Sequence, residues 1–375
     1  MSASFTPDYM MRHLFPIRDP AGPLRRALGL PADAPLLLPL AAIAGAGALL
    51  AGGYAYAAGW LTPHRLTPAR IIDTFQANAG AHPGLRRNHA KGICVVGHFD
   101  GNGMASPYST AAVFGQVRVP VIGRFAVPGG NPAVADTAGP VRSLALSFQL
   151  PNGEQWRTGM NSTPVFVVNT PQGFYDNLLA SRPDPATGKP DPARLKAFFD
   201  THPESGPFRA WTKAHPPTGS FVDTTFYSIN AFRFVDAHGD THLARWSVVP
   251  EAPATLLDPA QARTNNTLQD DLVRRMQAGP ARWHLVVQLA APGDPGNDAT
   301  HAWPADRPTV DAGVLTLDRA IAQDDGPCRD VNFDPTVLPS GIRVSDDPLL
   351  AARAGAYARS YNLRTREVAR LEKAR

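Results

Sequence analysis

Two cysteines among 375 residues, Cys94 and Cys328, are too few for a disulfide framework and lack the spacing of a zinc or CxxC site. They can pair once in an oxidising compartment, but two buried free thiols are the simpler reading. Charge is sparse too, at 18% of residues. The net +4 is scattered without a basic stripe interleaved with aromatics, which argues against nucleic-acid binding. There is no internal repeat, low-complexity tract, P-loop, HExxH or GxSxG element, so the corresponding nucleotide, zinc-protease and serine-hydrolase chemistries have no support. The 38 prolines and 32 glycines lie between apolar runs and punctuate a loop-rich fold.

Charge is missing altogether from 34–63, and 36–61 is dominated by Leu, Ala, Ile and Gly. That stretch is long enough to cross roughly 30 Å of hydrocarbon as one helix. Tyr54, Tyr56 and Trp60 sit toward its far end, where amphipathic rings favour the headgroups, and Arg12, Arg18, Arg25 and Arg26 precede it. This predicts a short tail over 1–33, a single transmembrane helix or uncleaved signal anchor over 34–63, and a large outer domain over 64–375. A signal peptide cut at the small-x-small run Ala55-Tyr56-Ala57 is the alternative.

Beyond the span, spacing predicts a helix over 66–79 and strands over 89–99 and 117–127. Over 141–150, Leu144, Leu146, Phe148 and Leu150 alternate with Ala145, Ser147 and Gln149, as in a half-buried antiparallel strand. Strands over 226–236 and 242–249 flank the turn Ala237-His238-Gly239-Asp240, and 283–289 is strand-like. Helical spacing returns at 193–199, 268–276 and from Pro348 onward. The sum is an α+β domain with an antiparallel β-core and helices concentrated late.

The sharpest constellation lies on the last helix. At 100° per residue, Arg353, Tyr357 and Arg364 fall within about 40° of one another and share a face. A phenolate is a hard anionic ligand suited to ferric iron, Arg353 lies one turn away to favour that anion, and Arg364 can meet an anionic group further along. His89, in Arg86-Arg87-Asn88-His89-Ala90-Lys91-Gly92, precedes an apolar run and can face a pocket and shuttle a proton. Asn161 can donate to a bound peroxide or satisfy a turn. The sequon Asn161-Ser162-Thr163 is discounted because the segment reads as leading into a buried strand. His238 and His242 have the spacing of a helical metal pair, but Gly239 and Asp240 between them favour a turn.

Taken in order, these stretches resemble the haem catalase superfamily, in particular its short members, the catalase-related peroxidases, over roughly 66–366. The distal motif Arg-x-x-His-Ala-Lys-Gly falls on Arg86 to Gly92, and Pro120-Val121-Ile122-Gly123-Arg124-Phe125 matches the strand carrying a second propionate arginine. Asp136-Thr137, Val141 to Ala145 and the Thr-Pro-Val-Phe element ending at Phe166 follow. Phe333-Asp334-Pro335, Ser345-Asp346-Asp347-Pro348 and Arg353-x-x-x-Tyr357 complete the proximal pattern.

The resemblance implies a catalase-like antiparallel β-barrel with surrounding helices and a ferric haem, haem b by family habit. It implies His89 and Asn161 as catalytic residues and Tyr357 as iron ligand. Arg86, Arg124, Phe166, Phe174, Arg353 and Arg364 would hold the cofactor. It further implies reduction of hydrogen peroxide or small organic peroxides by an unidentified electron donor, with weak catalase activity; the apolar span and the arginines before it put this domain on the periplasmic or extracytoplasmic side of an inner membrane. It leaves a homo-oligomer open. A fatty-acid hydroperoxide-transforming enzyme like allene oxide synthase, or a tethered haem protein without turnover, are the alternatives. Departures from the pattern are Asn88 for valine, Ala126 for a serine bonded to the distal histidine, and Arg359 and Tyr361 after the ligand.

Overall fold

The computed structural model describes residues 22–31, 35–62, 65–258, 260, 262 and 264–374. Arg12, Arg18 and most of the predicted tail lie outside the described residues. The chain divides into two compact units, the second beginning at Leu66. The first contains the helix Leu37–Ala57, 21 residues and so about 32 Å long. No residue of this helix is buried, and Leu37, Leu38, Leu49 and Leu50 are exposed. It is long and apolar enough to cross a membrane.

In the second unit, strands β1 (Gly92–Gly101), β2 (Arg118–Ala126), β3 (Ser143–Gln149), β4 (Gln155–Asn161) and β5 (Phe226–Tyr227) follow one another in an antiparallel sheet. β6 (Phe232–Val235), β7 (Thr241–Pro250), β8 (Ala281–Leu289), β9 (Thr309–Ile321) and β10 (Ile342–Val344) complete the described strands. β5 pairs with β7, β7 with β8, β8 with β9, and β9 with β1. That circuit closes an eight-stranded antiparallel barrel, with β6 and β10 continuing from β7.

Alternation decides what faces inward. In β3, Leu144, Leu146 and Phe148 are buried opposite Met160, Thr158 and Trp156 of β4. Phe99, Phe125, Phe226, Trp246 and Trp283 join them in one cluster that fills the barrel. The interior is a packed apolar core, and the large cavity described below lies on the outer face of the barrel. On the outward face of β3, Ser147 is 1% exposed while Ala145 and Gln149 are partly exposed, so the expected alternation holds and only part of that face is covered.

The predicted helices appear as Pro68–Ala79, Pro192–Thr201, Thr267–Ala278 and Pro348–Lys373. Three features differ from expectation. Helices Pro171–Ala180 and Gly206–Ala214 join Pro192–Thr201 between β4 and β5, so helices are not confined to the late chain. The run 226–236 breaks into β5 and β6 around Ile229, which has φ 68°. Asn161 ends a strand instead of leading into one.

The cysteines form a disulfide, Cys94–Cys328, with Cα atoms 5.4 Å apart, which corrects the free-thiol reading. Cys94 stands opposite Ile321 where β1 pairs with β9, and the chain leaving β9 turns back over β1 to reach it. The bond closes a loop across 234 positions, so replacing both cysteines with alanine should cost about 2–5 kcal/mol. Thermal unfolding checks this, with a fall in Tm on the order of 5–10 °C expected.

Candidate active site

The outer face of β2, β3 and β4 is a floor of aligned rows. Arg124, Ala145 and Gly159 lie side by side in register, and Ser143 and Asn161 form the next row. The C-terminal helix Pro348–Lys373 and the helix Pro68–Ala79 contribute the opposite walls. Between them is a cavity with about 1660 Å³ of empty space, part of it open to solvent, and it is predominantly apolar. All nine candidate residues read from the sequence line it.

His89 is not in a strand. It occupies a left-handed bend before β1, with φ 56°. Asn88 fixes the bend, its Oδ1 accepting from the N–H of His89 at 2.9 Å and of Gly129 at 2.8 Å. Arg124 Nη2 donates to the His89 carbonyl at 2.8 Å. Among the described residues, His89 and Ile229 are the non-glycine residues with positive φ, and both line this cavity. Strain of that kind persists only where the surroundings impose it, and it concentrates at functional sites. Burial, then Arg124, push the His89 pKa down to about 3, against an upward pull from the Val127 carbonyl, so the ring is neutral at ordinary pH. Its Nδ1 is enclosed without a hydrogen-bond partner, as expected where Ala126 supplies no hydroxyl.

Ser143 Oγ donates to Asn161 Oδ1 at 2.8 Å, which orients the amide and leaves its NH₂ group for the cavity. Phe166 and Phe174 stack with ring centroids 5.7 Å apart, and Phe75 lies 6.0 Å from Phe174.

Arg86, Arg124 and Arg364 crowd one end. Arg86 donates to the carbonyls of Cys328 and Val331 at 2.9 Å, Arg364 to those of Arg329 and Val331, and Arg124 to Gln323. All these acceptors are neutral. Burial and the neighbouring guanidiniums hold Arg86 well below the usual arginine range, and burial, then Arg364, bring Arg124 to about 9. A Cβ on Gly92 would stand 2.4 Å from Arg124 Cζ, so only glycine admits this guanidinium. The Arg86-Arg87 doublet divides: Arg87 turns away to Glu367 of the C-terminal helix.

On that helix, Arg353 and Tyr357 meet Gly159, where a Cβ would lie 3.0 Å from Arg353 Nη2 and 3.4 Å from the Tyr357 hydroxyl. Arg353 Nη2 donates to the Gly159 carbonyl at 3.2 Å, and Nη1 donates to Asn230 Oδ1. Asn230 Nδ2 in turn donates at 2.7 Å to Asp347, whose other oxygen caps the helix at Leu349. The Arg353 charge therefore meets neutral acceptors, with the carboxylate one residue removed. Asn230, Gly159 and Ser143 were not found by sequence reasoning. The polar Ser228-Ile229-Asn230 interruption of an apolar run was the available signal for the first. Asp136 serves structure, accepting from the N–H groups that open helix Thr267–Ala278.

The donor set fits a flat dianionic macrocycle carrying ferric iron: an apolar slot with a phenol on one wall, an imidazole and an amide among the others, and guanidiniums hydrogen-bonded to neutral acceptors at one end. Comparison with known proteins agrees. The family model described as Catalase matches residues 59–369. A catalase-related peroxidase of Synechococcus elongatus is 41% identical, covering 80% of this chain and 89% of that protein. One from Mycolicibacterium paratuberculosis is 34% identical, covering 80% and 95%. A bacterial catalase structure superposes with TM-score 0.68 at 22% identity, over 76% of this chain and 58% of that one. A fungal catalase gives 0.69 at 20% identity, over 76% and 59%. The chain thus spans under two thirds of those solved structures.

Proposed function

Since the chain belongs to the catalase family and is a catalase-related, peroxide-acting oxidoreductase, we propose that it is a haem peroxidase reducing hydrogen peroxide and small organic peroxides with electrons from an external donor. The observation that carries the haem assignment is the cluster of three guanidiniums, Arg124 and Arg364 buried and Arg86 half-buried, none of them hydrogen-bonded to a carboxylate among the described residues, at one end of an apolar slot. Two propionates would neutralise Arg86, Arg124 and Arg364. Tyr357 would ligate the iron, with the Arg353 guanidinium 6.0 Å from its ring centre.

When bound, haem supplies the iron at which peroxide is cleaved and from which two oxidising equivalents are withdrawn. His89, neutral, takes the proton from one peroxide oxygen and returns it to the other. The Asn161 NH₂ group orients the peroxide for that transfer, and Ser143 holds the amide. Phe166 and Phe174 keep the entrance narrow and apolar, which selects small peroxides. The apolar helix, together with a disulfide of the kind that persists in oxidising compartments, supports a single-pass anchor in the inner membrane with this domain on the extracytoplasmic side.

Titrating the purified protein with haem, then adding peroxide and an aromatic donor, tests the reading. Uptake of ferric haem and donor oxidation with little oxygen release are expected, whereas no haem uptake would overturn it. Arg86→Met should separate the two effects of the guanidinium cluster. Removing one of three mutually repelling guanidinium charges stabilises the haem-free protein by about 1–2 kcal/mol. Losing a charge-assisted bond to a propionate weakens haem affinity about 10- to 100-fold. Thermal melts and haem titration read these opposite signs.

A further inference from the structure

The floor of the cavity continues past the slot. Beyond the Arg124–Ala145–Gly159 row, the next register row is Ile122–Ser147–Arg157, and Gln149 and Gln155 follow. These rows floor a second recess with about 770 Å³ of empty space, part of it open to solvent. The two spaces share two lining residues, Asn332 and Tyr361. Tyr361 lies one helical turn beyond Tyr357, with the Arg364 guanidinium 4.8 Å from its ring centre. A tyrosine therefore stands between the guanidinium end of the slot and a separate recess.

The recess differs from the slot in chemistry. Ser147, Gln149, Gln155 and Arg157 form one hydrogen-bonded chain along its floor. Arg157 gives its remaining bond to the Asn332 carbonyl at 2.7 Å, so its charge meets amide oxygens alone. Asp330, on the same rim, is engaged by Arg329 at 2.8 Å. A polar pocket with an unspent cation and a phenol ring at its inner wall suits a small aromatic bearing an anionic substituent.

We propose that this recess binds the electron donor, a small phenol carrying a carboxylate, and that Tyr361 relays its electrons to the peroxide-oxidised site. The inference rests on the peroxidase reading and deepens it. Tyr361 gives one electron to the oxidised site and its phenolic proton to water in the recess. The donor hydroxyl then gives a hydrogen atom to the Tyr361 oxygen, which restores the tyrosine and leaves a phenoxyl radical. Two rounds supply two electrons, and the two protons released balance those consumed as one peroxide becomes two waters.

The first test needs no turnover. The haem-loaded protein is illuminated with 4-azidosalicylate in the absence of peroxide, and the labelled peptides are mapped by mass spectrometry. Label within 147–157 or 330–332, displaced by excess salicylate, is expected; label confined to the slot, or none, overturns the site. In steady state with a carboxylated phenol, Arg157→Gln should raise the donor KM about tenfold and Tyr361→Phe should lower kcat about tenfold. Peroxide added without donor should give a tyrosyl signal in electron paramagnetic resonance that Tyr361→Phe abolishes. If the wild type oxidises no donor, the peroxidase reading itself fails. If it oxidises phenols while both variants stay within twofold of it, only the relay and its recess fail.

Discussion

His89→Gln lowers the rate of reaction with peroxide by about 10²- to 10⁴-fold while haem uptake persists. Glutamine keeps a polar group of similar reach in the bend but cannot take up and return a proton. The left-handed conformation is imposed by Asn88 and Arg124, and both remain in this variant. Stopped-flow mixing of the haem-loaded protein with peroxide measures the effect, and a loss smaller than tenfold would remove His89 from the proton transfer. The wild-type pH profile follows from the same environment. In the proposed role the base is the neutral ring, which is lost as pH falls through its pKa of about 3. The peroxide step should therefore stay flat from about pH 8 to pH 5 and decline only below that. An acid limb centred near the ordinary histidine value of about 6.5 would contradict this account.

Tyr357→Phe has the second large effect, and it falls on cofactor retention. The ring still packs against the Cys94, Cys328 and Phe333 cluster, so the fold keeps its contacts and loses one oxygen. Changes to residues around a metal's own ligands cost 10- to 100-fold in affinity, so losing the ligand should accelerate haem loss by at least about 100-fold. Transfer of haem to a scavenging globin measures this directly. The ferric spectrum of any residual complex should also change, because the proposed ligand oxygen is gone. Unchanged haem retention and an unchanged spectrum in this variant would exclude Tyr357 as the ligand.

The helix carrying Arg353, Tyr357 and Arg364 was legible from its 3.6-residue period, and β3 from its alternation, because both patterns are local. Resemblance then gathered residues that spacing alone cannot bring together, and all nine candidates line one cavity. What escaped reading depends on distant parts of the chain. The bend at His89 is set by Gly129 and Arg124, about 40 residues away, so the strand expected from 89 begins only at Gly92. The break at Ile229 sits where Asn230 must reach across to Arg353 and Asp347, and no local propensity records that need. The disulfide joins positions brought together by the pairing of β1 with β9, which no spacing rule reveals.

The filled barrel has a consequence for how such a protein can change over evolutionary time. Along β3 the residues alternate between two unrelated duties. Leu144, Leu146 and Phe148 seal the interior, and the positions between them, Ala145 and Ser147, pave the floor of the chemistry. A substitution at an inward position is judged by stability, and one at an outward position by which molecules it admits. Since the two sets of side chains point to opposite faces of one strand, selection can remodel the floor residue by residue while the scaffold beneath it stays largely constant.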